Sequence, residues 1–191
     1  HGFPVKGLRP PLWGLVAGLA GVALLFRALY TVDPNQVLWG DSFDSRLLYW
    51  TFEWGFHALF QSGHPLAFWH ANQFFPVANS LAFSDSLLGA QAIYSPLRLL
   101  GLGILPAIYA TLATITVIGC CVSDVALHRL GFASGPDRLA LVLGAHFGLP
   151  MTGFLYHYQL FGFELLPPFL LFFYLWLRDL RQQDLVASAA L

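Results

Sequence analysis

Apolar residues along this chain gather into long, nearly unbroken runs, and the polar residues collect between them. A helix needs about 20 such residues to cross the hydrocarbon core of a bilayer. Four runs have the character of a span: 12–30, 104–128, 138–155 and 161–178. The stretch between the first two, residues 31–103, is too polar and interrupted to cross and too aromatic for an ordinary aqueous loop. It is predicted to lie along the membrane surface as interfacial helices. The expected fold class is therefore all-α: a polytopic transmembrane helical bundle of about four spans with a long extracytoplasmic loop, residues 1–191 forming a single membrane domain.

Local punctuation refines this parse. Gly14, Gly18 and Gly21 give span one a small-xxx-small spacing that lets another helix approach closely. Arg27 near its far end either snorkels to the interface or meets a carboxylate or phosphate of the following loop. In the loop, Ser42 to Phe60 has a helical period that sets Glu53 and His57 each within about 20° of Arg46, with Asp44 and Thr51 nearly opposite. Leu, Phe and Trp fill the space between these polar stripes, as in a half-embedded helix. Gln61-Ser-Gly-His-Pro65 ends it. A short helix over 86–95, with Asp85 as its cap, is expected to stop at Pro96 with Arg98 just beyond, too short to span. Asp124 and His128 are four apart and predict a pair on one helix face. Gly148-Leu-Pro150 predicts a bend in span three, and Pro167-Pro168 sit where span four's first turn lacks N–H partners anyway.

Composition supports the membrane reading and narrows the partners. The chain is 57% hydrophobic and 10% charged, where soluble domains carry about a quarter charged residues. A net charge of −1 and nine scattered Lys and Arg exclude nucleic acid as a partner. Cys120 and Cys121 are adjacent in an apolar run, where geometry opposes a disulfide between them. Four of the six tryptophans, Trp39, Trp50, Trp54 and Trp69, fall in the loop, as expected at headgroup level. With four spans, Lys6, Arg9, Arg129, Arg138, Arg178 and Arg181 all fall in the cytoplasm, which places the amino terminus and residue 191 inside and 31–103 outside. A fifth span over 84–100 would reverse Arg129 and Arg138. His1 opens the chain and an apolar Leu185–Leu191 closes it, so the protein is expected to be incomplete at its carboxyl end and to continue into another spanning helix.

The candidate chemistry lies outside. Trp39-Gly-Asp-Ser-Phe-Asp-Ser-Arg46 sets Asp41 and Asp44 three apart at a predicted helix start, where unpaired N–H groups and the helix dipole favour negative charge. Capping explains such a Gly-Asp-Ser equally well; the alternative is a catalytic base or metal ligand at the membrane surface. Asp85, and Glu164 at the mouth of span four, share the same side, as do Arg46, Arg98 and Arg27. His57, His64 and His70 match no zinc spacing.

Trp39-Gly-Asp-Ser-Phe-Asp44, Phe74-Phe-Pro76, Ser84-Asp85 and Tyr156-His-Tyr-Gln159 before Pro167-Pro168, set on one span and a long aromatic loop, resemble the amino-terminal half of GT-C superfamily membrane glycosyltransferases of the bacterial, uncharacterised branch. Those enzymes typically carry about twice as many spans. The resemblance implies a sugar donor on a polyprenyl phosphate at the outer face of a bacterial inner membrane, with membrane lipid as surroundings. It implies Asp41 as the catalytic base or metal-associated acid, supported by Asp44, Asp85 and Glu164. Arg46, Arg98 and His157 would meet substrate or phosphate. A departing phosphate is served by arginine or by a divalent cation, and the sequence does not choose between them. A non-catalytic integral subunit, packed against a larger membrane complex through its aromatic shelf and glycine-bearing first span, is the alternative.

Overall fold

The computed structural model describes residues 11–27, 33, 44–71, 76–83, 86–148 and 165–191. Among the described residues the protein is all-helical: seven α-helices and no strand. They are α1 (Leu12–Leu25), α2 (Asp44–Phe56), α3 (Leu88–Leu99), α4 (Ile104–Leu130), α5 (Gly135–Phe147), α6 (Leu166–Asp179) and α7 (Gln182–Ala189). One of them, α4, with 27 residues, is long and apolar enough to cross a membrane. The contacts divide the chain into two units, residues 1–27, 115–154 and 160–191 in the first and 28–114 and 155–159 in the second.

In the first unit, α1 presents its small residues inward. Gly14, Ala17, Gly18 and Gly21 are buried, while Leu12, Leu15, Val16, Leu19 and Leu24 are exposed. The glycine spacing is used inside the chain. A Cβ on Gly14 would lie 2.4 Å from the Cys120 carbonyl oxygen, and one on Gly18 2.9 Å from the Val117 Cα. At Gly21 the ring of Phe147 occupies the space a Cβ would need. Backbone thus packs on backbone along the second half of α4, and any side chain at Gly14 or Gly18 would have to push the helices apart.

The same unit closes its helix ends with standard devices. Gly131, at φ 103°, ends α4, with Phe132 N–H donating to the Leu127 carbonyl at 3.1 Å. Ser134 caps α5, and its hydroxyl accepts from Asp137 N–H. Pro167 and Pro168 lie in the first turn of α6, as their missing N–H groups require. Helix α5 stops at Phe147, with Gly148 extended, where the sequence predicts only a bend at Gly148-Leu-Pro150. The chain does not run straight on after α6. Leu180 at φ 52° breaks it, and α7 packs against α6 with Asp184 and Ser188 buried and Leu185 and Val186 exposed.

In the second unit, α2 passes into a π-helical turn, His57–Gln61, and then a 3₁₀ turn, Pro65–Trp69. The regular α-helical period stops at Phe56, short of the Phe60 expected; Arg46 and His57 are exposed, Glu53 is partly so, and Thr51 is buried with its hydroxyl on the Leu47 carbonyl. Ala58, Phe68, Ala71 and Leu81 form one buried cluster, with Trp50, Trp54 and Trp69 packed against it. Trp54 stacks on Trp50 and donates its indole N–H to the Phe68 carbonyl at 2.8 Å. The helix expected over 86–95 instead spans Leu88–Leu99 and runs through Pro96, which costs only the one bond to Ala92 in its last turns. Gly101, at φ 91°, then turns the chain toward α4.

Candidate functional site

The polar centre of the second unit is assembled from α2 and α3. Glu53, on the charged stripe of α2, faces Arg98 near the end of α3. The guanidinium Nε lies 2.8 Å from Oε1 and Nη2 3.3 Å from Oε2, a two-pronged pair. Tyr94, one turn earlier on α3, donates its hydroxyl to the same Oε1, and Arg98 Nη1 donates to the Leu102 carbonyl. The guanidinium also sits over the Phe56 ring at 5.4 Å. Both ion-pair members remain partly open to the outside, at 20% and 26% side-chain exposure. These contacts engage three of the five N–H donors of Arg98.

Beneath this pair, the buried face of α3 is polar and fully paired. Gln91 donates to the Phe52 carbonyl at 3.0 Å and accepts from Ser95 Oγ at 2.7 Å. The carboxamide requires Gly55 opposite it, where a Cβ would come within 2.3 Å of Nε2. Burial raises the Tyr94 phenol well above its ordinary value, and the hydrogen bond to the Glu53 carboxylate adds to that shift. Bonding to Glu53 likewise raises Arg98. Tyrosine therefore stays a neutral donor and arginine a fixed cation.

A second polar node lies within the first unit. Asp124, buried in α4, accepts from the backbone N–H of Gly14 at 3.1 Å through Oδ2 and from Arg138 Nε at 2.6 Å through Oδ1. Arg138 completes itself on the Phe132 and Ala133 carbonyls. Asp124 was expected to pair with His128 on its own helix; the structure gives it to α5 and α1 instead. A buried carboxylate is better satisfied by a forked cation and an orphan helix N–H than by one imidazole edge. Arg138, one of the positive charges counted in the sidedness of the chain, is buried in this pair. Ser123 Oγ and His146 Nε2 lie 2.9 Å apart, both buried. Asp184, also buried, pairs with Arg129, whose guanidinium lies over Phe172.

Of the candidate site residues, Arg98 is placed in the Glu53 pair and Arg46 on the exposed face of α2. Asp44 opens α2, but its side chain lies outside what is described. Asp41, Asp85, His157 and Glu164 lie outside the described residues. Among the described residues no group of three or more His, Cys, Asp or Glu side chains gathers at a metal-sized site. A shallow, open depression of about 590 Å³ is lined by Trp69, Ala78, Asn79 and Ala82, and Glu53, Tyr94 and Arg98 are not among its walls.

Sequence reasoning missed Glu53 as the partner of Arg98 and Gln91 as a buried bridge. Both carried a legible signal, a polar group in an apolar neighbourhood, but their partners lie 45 and 39 residues away. The chain matches no protein family model, no curated protein and no solved structure.

Proposed function

We propose that the chain is a GT-C-like membrane glycosyltransferase, or the amino-terminal half of one, that transfers a sugar from a polyprenyl-phosphate-linked donor at the outer face of a bacterial inner membrane. The single observation that carries the reading is the held Arg98. A partly open guanidinium, locked by Glu53, Tyr94 and the Phe56 face, belongs to the aromatic surface unit whose first helix follows the Asp41-Ser-Phe-Asp44 motif. In this scheme the acceptor hydroxyl attacks the anomeric carbon of the donor, and Asp41 takes its proton. The bond from that carbon to the phosphate oxygen breaks, and Arg98, with Arg46, balances the charge on the departing phosphate. Asp44, Asp85, Glu164 and His157 serve as supporting acids and substrate contacts. A divalent cation would be held by these same acids.

Four spans with cytoplasmic ends complete the proposal. Support comes from α4, which is long enough to cross, and from the outward faces of α1 and α6, where Leu15, Leu19, Leu170 and Leu177 are exposed.

The test is transfer of labelled sugar from polyprenyl-phosphate hexoses by the purified chain. Asp41→Asn is expected to abolish transfer with expression intact, and unchanged transfer would count against the assignment. The alternative, a non-catalytic subunit of a larger membrane complex, draws support from the internal pairing of Glu53, Asp124 and Asp184. It loses its glycine face, which α1 already spends on α4. Stoichiometric co-purification with another membrane protein, without transfer, would favour it.

A further inference from the structure

Helix α3 is inside out. Its buried residues are Gln91, Tyr94 and Ser95, each hydrogen-bonded internally, whereas Leu88, Leu99 and Leu100 are 43%, 61% and 78% exposed. From Leu88 to Gly103 every exposed position is apolar or glycine, and the one charge, Arg98, is turned onto Glu53. A helix in water shows the opposite arrangement, and a protein-binding face carries a polar rim around its apolar centre. We infer that the outward edge of α3, through Leu88, Ala92, Pro96, Leu99 and Leu100, is seated in the acyl chains of the bilayer just below the headgroups.

Three features set the depth. Pro96 leaves the Ala92 carbonyl without its helical donor, and the turn at Gly101 exposes further backbone, so these groups need water or headgroups within reach. The helix is 12 residues, about 18 Å, too short to cross about 30 Å of hydrocarbon. It leads within four residues into α4, the helix with a span's length and composition. A shallow interfacial position satisfies all three, with the Glu53–Arg98 pair on the opposite, protein-facing side. The inference requires that the chain sits in a bilayer but not that it transfers sugar, so failure of the enzymatic reading leaves it standing.

Single cysteines at Leu88, Ala92, Leu99 and Leu100, in a Cys120→Ala/Cys121→Ala background, can carry nitroxide labels in phosphatidylcholine–phosphatidylglycerol liposomes. Accessibility to oxygen is expected to exceed that to a water-soluble nickel chelate several-fold at all four sites, as at Ile118 of α4, with the reverse at exposed His64. Nickel access like that of His64 would overturn the inference in favour of water, and low access to both reagents would overturn it in favour of a protein partner. The unsubstituted chain supplies an independent check: diazirine-acyl phosphatidylcholine should label the peptide bearing Leu99 and Leu100. Label on α4 with none on that peptide would also overturn the inference.

Discussion

Both units hold arginine–carboxylate pairs, and Arg138–Asp124 in the first differs in burial from Arg98–Glu53 in the second. Arg138–Asp124 has side chains 9% and 2% exposed, whereas Arg98–Glu53 has 20% and 26%. The buried pair ties three helices together, because Asp124 also takes the Gly14 N–H at the start of α1. Little of it meets the outside, and its contacts hold the helices together. The open pair is held just as firmly in geometry, by Tyr94 and Phe56, yet it can still meet a solute. Comparable chemistry is therefore enclosed in one unit and left partly open in the other, and exposure is what separates them.

The largest expected effect is at the buried node. Asp124→Ala strands both Arg138 and the Gly14 N–H and is predicted to cost about 3–5 kcal/mol, read as a large fall in thermal midpoint in detergent. The double variant Asp124→Leu/Arg138→Met should recover most of that loss. A single variant with unchanged stability would show that the pair is not structural.

Next comes the helix contact it supports. Gly14→Leu is expected to cost at least about 1–3 kcal/mol, since the side chain meets α4 backbone rather than a movable side chain. Cysteine cross-linking between α1 and α4 would report the separation. Full cross-linking in the variant would contradict the packing described above.

At the open pair the stability effects should be smaller and the functional ones larger. Glu53→Gln is predicted to cost about 1 kcal/mol or less, because the pair is only partly buried. If the proposed function holds, it should nonetheless weaken use of a phosphate-linked donor by freeing Arg98 to reorient. Equal losses at Glu53 and Asp124 would erase the contrast.

Tyr94→Phe removes one hydrogen bond and should cost about 1 kcal/mol. It also carries a pH signature. The folded Tyr94 titrates above its unfolded value of 10.0, so its contribution is complete below about pH 10 and declines above it. The wild-type protein should therefore lose stability on alkaline titration, and the Phe variant should lose less. Identical alkaline profiles would remove Tyr94 from the node. Smallest of all, Arg46→Ala on the exposed face should change stability by less than about 0.5 kcal/mol.

Composition and run length by themselves determined that the protein is helical and that aromatic and acidic residues concentrate between the first and second runs. Glycine spacing in α1 marked a close approach, and turn residues such as Pro167-Pro168 placed helix starts. These are local properties, set by propensity, capping and hydrophobicity within a few residues. What only the tertiary structure decided was the pairing of polar groups: Asp124 with Arg138 rather than its neighbour His128, Glu53 with Arg98, and Gln91 with the Phe52 carbonyl. It also decided that the polar side of α3 faces inward. A buried polar group takes whichever partner the fold brings to it, and for these residues the partners lie 14 to 45 positions away, beyond the reach of any helical period.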